Sequence, residues 1–302
     1  MKLQLPQTQK PRKENLVIST VGDQSLHFHW LPTVESNYDL ALIYYGDGEG
    51  YTDEVALHIK RKGPKYHLLH DIIQERPEIL DYKYIWMPDD DIALTSGQIH
   101  RMFKINTKYK LWISQPSIMG WYGLNVTLHH KECFMRFTNY VEIMCPCFES
   151  GTLKKCLGTF KENKTGWGID HAWNKILNHP TDKIAIIDDI VAFHTRPVGG
   201  GDTYKNQTAG KMSGAQKENF AVYDKYNLGE SSYEDLKNGR IVSTESFETR
   251  YHNTVEYSRI YKQLEAGIDV SERLWPPTEI IQDICKALRD KRVVSDFLDP
   301  CS

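Results

Sequence analysis

Short apolar runs that end at glycine, aspartate or another polar residue recur along the first two hundred residues of the chain. Runs of this length, rich in β-branched and aromatic residues, are typical of β-strands that stop at loops. One of them is apolar nearly throughout, which favours a central strand covered on both faces. The five runs lie at 15–23, 38–48, 82–88, 110–117 and 183–194.

A helical pattern separates some of these runs. Apolar residues at 68, 69, 72 and 73 fall on one stripe of a helix, and a second stripe follows Pro77. Strands that alternate with helices predict an α/β layer fold, with a mixed, mostly parallel sheet flanked by helices. Ligands of such sheets bind beyond the carboxyl ends of the strands. Several of the runs end there in acidic or glycine-containing tips.

The character of the sequence changes near residue 203. Residues 201–216 are polar and glycine-containing, which favours a flexible loop. The segments 248–267 and 278–292 carry charged residues with interspersed apolar or aromatic ones, which predicts helices. We therefore expect a polar leader at 1–14, a main domain at 15–202 and a mainly helical extension at 203–302. The helices of the extension offer a surface for the domain, for an acceptor or for a homo-oligomer.

Composition and charge exclude several classes of function. The 302 residues are 40% hydrophobic and 25% charged, as in ordinary globular chains, and the net charge of −3 gives no basic field for nucleic acid. The polar start lacks the apolar core of a signal peptide, and no apolar run is long enough for a transmembrane segment. Six irregularly spaced cysteines favour reduced thiols. The sequence predicts a cytoplasmic protein, either free or peripheral to the inner membrane face.

Three consecutive aspartates, Asp89 to Asp91, follow the apolar run at 82–88. Like charges repel, so such a cluster calls for a counter-charge. An Asp-x-Asp pair offers two carboxylates to one side of a turn, and Mg²⁺ and Mn²⁺ prefer oxygen ligands of this kind. The alternative is the start of a helix, where aspartates stabilise the first turn.

Two later segments carry residues that fit the same site. In "TGWGIDHAW" (165–173), glycines allow close backbone approach, Trp167 offers a flat platform for a sugar ring, and Asp170 is a candidate general base at the start of a helix. A structural glycine turn with a capping aspartate explains that segment equally well. In "IIDDIVAFHTRPVGGG" (186–201), His194 ends a strand as a candidate metal ligand, and Arg196 with the glycines is suited to phosphate.

The combination of motifs resembles the GT-A-type glycosyltransferases, and most closely the plant and bacterial family known as domain of unknown function 707. The resemblance covers roughly residues 15–201. It rests on "YYGDG" (44–48), "YKYIWMPDDDI" (82–92), "ISQPS" (113–117), "VEIMCPCF" (141–148), "GWGID" (166–170) and "IDDIVAFHTRPVGG" (187–200). It implies a Rossmann-like catalytic domain that transfers a sugar from a UDP- or GDP-linked donor to a glycan acceptor, with Mn²⁺ or Mg²⁺ as cofactor.

The resemblance also implies roles for individual residues. Asp89, Asp91 and His194 match the metal-binding positions. The nucleotide-sugar contacts that it implies are Thr20, Val21, Asp47, Lys62 and Lys65. From the residues themselves, Asp90 and Arg196 are further candidates for that contact, and Trp167 with Gly168 is the candidate platform for acceptor and sugar.

The candidate base is where this chain departs from related enzymes. Asp170 falls where inverting β-1,4-galactosyltransferases keep a Glu-Asp pair, but Ile169 stands in place of that glutamate. The departure leaves two candidate bases, Asp170 and Glu142, for a transfer that we expect to invert the anomeric centre.

Two other functions fit parts of the pattern. Haloacid-dehalogenase-type phosphatases also place Asp-x-Asp after an apolar strand, but their motif requires threonine or valine where this chain has Ala93. A non-catalytic module that binds a nucleotide-sugar is the second alternative. The presence of candidate metal, base and acceptor residues together favours the transferase.

Overall fold

The computed structural model of the protein describes residues 13–51, 55–120, 125–130, 133–196, 212–228 and 249–251. Within them, ten strands and five helices form a mixed α/β fold. The strands are β1 Asn15–Val21, β2 Tyr38–Tyr44, β3 Leu57–Lys60, β4 Tyr84–Trp86, β5 Ile92–Ala93, β6 Ile113–Gly120, β7 Arg136–Thr138, β8 Cys147–Glu149, β9 Ile184–His194 and β10 Thr249–Tyr251. The helices are α1 Lys65–Glu75, α2 Ser96–Tyr109, α3 Ser150–Cys156, α4 Ile169–Ile176 and α5 Met212–Tyr226.

The strands form one sheet in the order β10-β7-β9-β6-β8-β4-β1-β2-β3, with β5 paired to β9 beside this path. The predicted α/β fold, with a mixed sheet flanked by helices, is confirmed. Strands β4, β1, β2 and β3 form a parallel block, and β6 pairs with β9 in parallel. Strand β8 joins these two parallel groups by running antiparallel to both β4 and β6.

Helices cover both faces of the sheet. Leu69, Ile72 and Ile73 of α1 pack with α3 and α4 against one face, in a cluster that also holds Trp173. Phe103 of α2 packs against the other face. A sheet covered on both faces needs apolar residues at successive positions, which is why β1, β2 and β4 are buried along their whole length.

The helix boundaries follow from local hydrogen bonds. Helix α2 begins with a capping box, in which the Thr95 hydroxyl accepts from the Gln98 amide and the Gln98 side chain accepts from the Thr95 amide. It ends at Lys110, which adopts the left-handed conformation. Helix α4 begins after Gly168, whose φ of 91° suits glycine.

The described parts of the extension join the main domain. Val222 of α5 belongs to the apolar cluster beneath α1, and β10 pairs with β7 at the edge of the sheet. Two local predictions were wrong: α5 begins within the segment 201–216 that we expected to be a flexible loop, and β10 is a strand within a predicted helix. The predicted helix at 278–292 lies outside the described residues, as does nearly all of the leader. Among the described residues, no helix is both long and apolar enough to cross a bilayer.

The contact between α4 and α5 yields a test of the fold. A Cβ on Gly168 would lie 3.1 Å from the Asn219 backbone, and φ at this position is left-handed. We expect Gly168→Ala to lower the free energy of unfolding by about 1–3 kcal/mol through strain and overpacking. The matched control is Gly97→Ala in α2, where a Cβ meets no atom within 4 Å. This control should be neutral or stabilising, by up to about 1 kcal/mol. Equal effects of the two changes on chemical denaturation would contradict the described packing.

Candidate functional site

Asp89 to Asp91 form an acidic turn between β4 and β5, at the carboxyl edge of the parallel block. Each aspartate contacts a different basic side chain. Asp89 pairs with Lys65 of α1, Asp90 with Arg196, and Asp91 with His194 at the end of β9. The repulsion between the three carboxylates is therefore offset by three basic groups. The fold places one of these groups at the start of α1 and two at the end of β9.

Lys65 anchors the first aspartate. Its ammonium Nζ lies 2.6 Å from Asp89 Oδ1 and donates to the carbonyl oxygens of Ile143 (2.9 Å) and Met144 (3.1 Å). The Asp89 amide donates to the same Met144 carbonyl at 2.7 Å. All three ammonium hydrogens therefore have oxygen acceptors, and the lysine ties α1 to the acidic turn and to the segment 143–144.

Asp90 holds the turn against the ends of β1 and β2. Its Oδ2 accepts from the Gly22 amide at 2.8 Å and from the Tyr45 hydroxyl at 2.9 Å, and its Oδ1 lies 3.2 Å from Arg196 Nη1. Burial raises the pKa of the Asp90 carboxyl to about 6, against the opposing effects of Arg196 and these hydrogen bonds. The carboxylate is engaged by the Gly22 amide, the Tyr45 hydroxyl and Arg196, which favours a positioning role.

Asp91 and His194 form the buried end of the site. Nε2 of His194 lies 3.4 Å from Oδ2 of Asp91, and their side chains are 6% and 10% exposed. Burial would raise the pKa of the Asp91 carboxyl, but the charge and hydrogen bond of His194, together with Arg196, lower it below its ordinary value. Within the described residues, the second oxygen of Asp91, Oδ1, is buried and has no hydrogen-bond partner.

Gly120 allows His194 to reach this position. The two residues pair directly where β6 and β9 end. A Cβ on Gly120 would lie 2.3 Å from the His194 carbonyl oxygen, and φ at Gly120 is 90°. Only glycine fits both the contact and the conformation.

The donor atoms around Asp91 fit a divalent cation. Within the described part of the chain, no three histidine, cysteine or carboxylate side chains form a ready-made metal centre. Mg²⁺ typically takes only one or two carboxylates and completes its shell with substrate phosphates and water. The buried, unpartnered Asp91 Oδ1 and the adjacent imidazole have the chemistry of such a partial ligand set. Asp89 pairs with Lys65 through Oδ1, and its role as a further metal ligand stays a prediction.

Asp170 lies in the first turn of α4, as the sequence predicts, and is 4% exposed. Its Oδ2 accepts from the Tyr140 hydroxyl (2.9 Å) and the Ile143 amide (3.2 Å), while Oδ1 accepts from the His171 amide (3.1 Å). A carboxylate has about four lone-pair sites, so one remains. The Ile143 carbonyl oxygen accepts from Lys65, so a single residue, Ile143, connects Asp170 with the acidic turn.

Glu142, the other candidate base, lies on the segment that Asp170 holds. It is buried, and its amide donates to Gln115 Oε1 of β6 at 2.5 Å. The two candidate bases therefore meet at the segment beside Lys65: Glu142 belongs to this segment, and Asp170 of α4 accepts from its Ile143 amide.

The structure places the remaining predicted residues differently. Val21 is wholly buried in the apolar core, and Thr20 is buried beside it. Asp47 and Lys62 form an ion pair with each other, with side chains 90% and 64% exposed, and neither contacts the acidic turn among the described contacts. Their roles in nucleotide binding stay predictions.

The predicted platform at Trp167 and Gly168 lies against α5. Glu218 of that helix accepts from both the amide and the hydroxyl of Thr165, and Gly168 packs on Asn219. Trp167 is half-buried, and its carbonyl oxygen accepts from the Asn163 side chain. One side of the glycine turn is therefore covered by the extension.

Sequence reasoning missed Tyr45 and Tyr140. Tyr45 lies within the quoted "YYGDG" segment, and its position directly after the second strand was a usable signal. Tyr140 reaches Asp170 across thirty positions of the chain. No local pattern announces such a contact.

Comparisons with known proteins add limited information. No protein-family model matches the chain, and no curated protein matches it. Among solved structures, S. aureus TarS resembles it with 7% identity and a TM-score of 0.45, over 93% of this chain and 53% of TarS. This chain thus spans about half the length of that structure.

Two further structures give similar values. A 1–349 fragment of S. aureus TarS in complex with UDP-GlcNAc shows 9% identity and a TM-score of 0.45, over 93% of this chain and 88% of that one. A Desulfovibrio desulfuricans G20 protein, assigned as a nucleotide-diphospho-sugar transferase, shows 10% identity and a TM-score of 0.38, over 71% and 98%. Likeness at this level does not identify a function.

The two predicted lysines make a matched pair of variants. We expect Lys65→Met to lower the free energy of unfolding by about 1–3 kcal/mol, because it removes the cation paired with Asp89 and one of the two donors to each of the Ile143 and Met144 carbonyl oxygens. Lys62→Met removes only an exposed ion pair and should change it by less than about 1 kcal/mol. Chemical denaturation of both variants measures the difference. A Lys65→Met variant as stable as Lys62→Met would show that Lys65 does not anchor the acidic turn.

Proposed function

We propose that the protein is a glycosyltransferase that uses a nucleoside-diphosphate sugar as donor and a hydroxyl of a glycan as acceptor. The observation that carries the proposal is the acidic turn itself. One buried aspartate there keeps an unpartnered oxygen beside an imidazole, at the carboxyl edge of the parallel strands. That combination suits a divalent cation together with a diphosphate. The motifs that resemble GT-A enzymes support the same function.

Asp91 and His194 are the residues that would hold Mn²⁺ or Mg²⁺. Such an ion would neutralise the charge that develops on the departing diphosphate. In the chain itself, Lys65 and Arg196 add positive charge on either side of the turn, where it favours an anionic donor. Asp90 fixes Arg196 and the ends of β1 and β2, so it acts on the donor through the groups that it positions.

The acceptor hydroxyl must lose its proton as the sugar is transferred. Glu142 and Asp170 are the proposed proton acceptors, and attack from the face opposite the diphosphate would invert the anomeric centre. Asp170 already accepts three hydrogen bonds, and the two from Tyr140 and Ile143 hold the segment that carries Glu142. The half-buried Trp167 nearby along the chain is the proposed platform for the acceptor ring.

A thermal-shift screen tests the donor side. UDP and GDP are each added with and without Mn²⁺, because a ligand that binds only the folded state raises the melting temperature. We expect one nucleotide to stabilise the chain in a Mn²⁺-dependent way. This stabilisation should be lost in Asp91→Asn and His194→Gln, which remove the two proposed ligands.

The matched control for this screen is Asp182→Asn, an exposed carboxylate just before β9 that pairs with Lys183. It should respond to the nucleotide as the unchanged chain does. Mn²⁺-dependent stabilisation that survives in both Asp91→Asn and His194→Gln would place the cation elsewhere and remove the basis of the proposal.

The rates of sugar transfer or donor hydrolysis distinguish the two candidate bases. With the donor found in the screen, release of the nucleoside diphosphate is measured against pH for Glu142→Gln and Asp170→Asn. Loss of a general base should cost about 10²–10⁴-fold in kcat and remove the acidic limb of the profile. The positioning residue should lower the rate and keep that limb. If both variants keep it, neither carboxylate is the base.

The alternative functions predict other results. A phosphatase would release phosphate from a generic phosphomonoester, whereas the glycosyltransferase should not. A binding module would show the nucleotide-dependent shift but no turnover of any UDP- or GDP-sugar. Either result would replace the proposed activity.

A further inference from the structure

Strand β9 contains a bulge just before the site. Its pairing with β6 is regular up to Pro116 and Ile187, and it resumes at Ser117 and Val191. Three residues, 188–190, are therefore accommodated on β9 without a partner on β6. Bulges commonly occur beside functional sites, where they redirect a side chain.

The bulge changes which residues of β9, odd-numbered or even-numbered, lie on a given face of the sheet. Before the bulge, the odd-numbered residues Ala185 and Ile187 belong to the apolar cluster beneath α2. From the last bulge residue onward, the even-numbered residues Ile190 and Ala192 belong to that cluster. By the same alternation His194 lies on that face, opposite Gly120. Without the bulge, residue 194 would lie on the opposite face of the sheet. It would also be displaced by three positions along β6.

A buried ion pair fixes the bulge. Arg136 of β7 donates through Nε to Asp188 Oδ2 (2.8 Å) and through Nη2 to Asp188 Oδ1 (3.0 Å), and the two side chains are 2% and 0% exposed. The same guanidinium donates to the carbonyl oxygens of Val126 and Leu128, and the His130 amide donates to Asp188. The pair therefore joins β7, the loop 126–130 and the bulge.

A second set of contacts closes the bulge from β6 and from the β7 side. The Ser117 hydroxyl lies 3.2 Å from the Ile190 carbonyl oxygen and 3.0 Å from His129 Nδ1. The Asp189 amide donates to the Phe134 carbonyl. Each of the three bulge residues is thus held by a neighbouring element.

Stability alone is a weak explanation for this ion pair, because burying two charges can cost more than their attraction returns, and well-packed apolar residues often replace such a pair without loss. Because the ion pair lies at the bulge, its location indicates that it fixes the register of β9 against β6. We propose that Arg136 and Asp188 are positioning residues that fix the bulge of β9 and thereby place the His194 imidazole beside Asp91. The role of His194 as a metal ligand rests on the proposed function. The placement of His194 by the bulge can be tested without any ligand.

The test uses the full chain labelled with ¹⁵N-histidine, which contains 12 histidines. The His194 imidazole resonances are assigned from their absence in His194→Gln. The variant is the double change Arg136→Met with Asp188→Leu, which replaces the pair by apolar residues of similar size and leaves no buried charge unpaired. We expect its His194 resonances to shift or split, because the register of β9 is no longer fixed.

Three further variants complete the experiment. Arg61→Met with Glu75→Leu removes an exposed Arg–carboxylate pair of similar geometry, and Leu153→Ala weakens the core beneath α3. Both should leave the His194 resonances unchanged, which separates register from general loss of stability. Ser117→Ala removes one contact of the bulge and should shift the same resonances less. If the double variant does not fold, the Ser117→Ala result alone decides the inference.

A second readout connects the inference with the proposed function. Mn²⁺ and the nucleotide from the thermal-shift screen should broaden the His194 resonances of the unchanged chain. In the double variant the Mn²⁺ affinity should fall by about 10- to 100-fold, as for other changes behind a metal ligand. Unchanged His194 resonances in the folded double variant, or in Ser117→Ala if the double variant does not fold, would overturn the inference. Absence of broadening in the unchanged chain would instead count against the proposed metal site alone.

Discussion

The structure depends on how three adjacent carboxylates are kept together at the edge of a sheet. Each of them faces a basic group from a different position in the fold: Lys65 for Asp89, Arg196 for Asp90 and His194 for Asp91. Two of these groups come from the end of β9 and one from the start of α1. The contacts of the acidic turn therefore depend on the position of the parallel block relative to the β6–β9 pair.

The three pairs differ in what they leave available. Asp89 is tied to Lys65 and to the segment 143–144, and Asp90 is engaged by Gly22, Tyr45 and Arg196. Of the three aspartates, Asp91 alone keeps a buried oxygen that has no hydrogen-bond partner within the described part of the chain. The three identical residues therefore differ in the oxygen atoms that they leave available for a ligand. The burial of Asp91 and His194 also lowers the local dielectric, which strengthens any charge interaction formed there.

Much of this arrangement was predictable from the sequence, because strands, helices and turns have local signals. The apolar runs located β1, β2, β4, β6 and β9, and the "PDDD" turn and the end of the last run located the acidic turn and His194. The antiparallel strands β7 and β8 are only three residues each, too short for a periodic pattern to be recognised. The bulge of β9 was not predicted either, because the run 183–194 has the pattern of one continuous strand.

Contacts between distant segments could not be read from the sequence. The role of Asp90 depends on Gly22, Tyr45 and Arg196, and the hold of Asp170 on Tyr140 and Ile143 is likewise a product of the fold. The ion pair between Asp47 and Lys62 at the surface is another contact that the sequence did not predict, and the nucleotide-binding roles of these two residues stay predictions.

The most direct measurement of the central claim is anomalous X-ray scattering from a crystal of the chain grown with Mn²⁺ and a nucleoside diphosphate. The account predicts a manganese peak within bonding distance of Asp91 Oδ1 and His194 Nε2, with diphosphate oxygens completing the shell. A bound nucleotide with no such peak, or with manganese bound away from these two side chains, would contradict it.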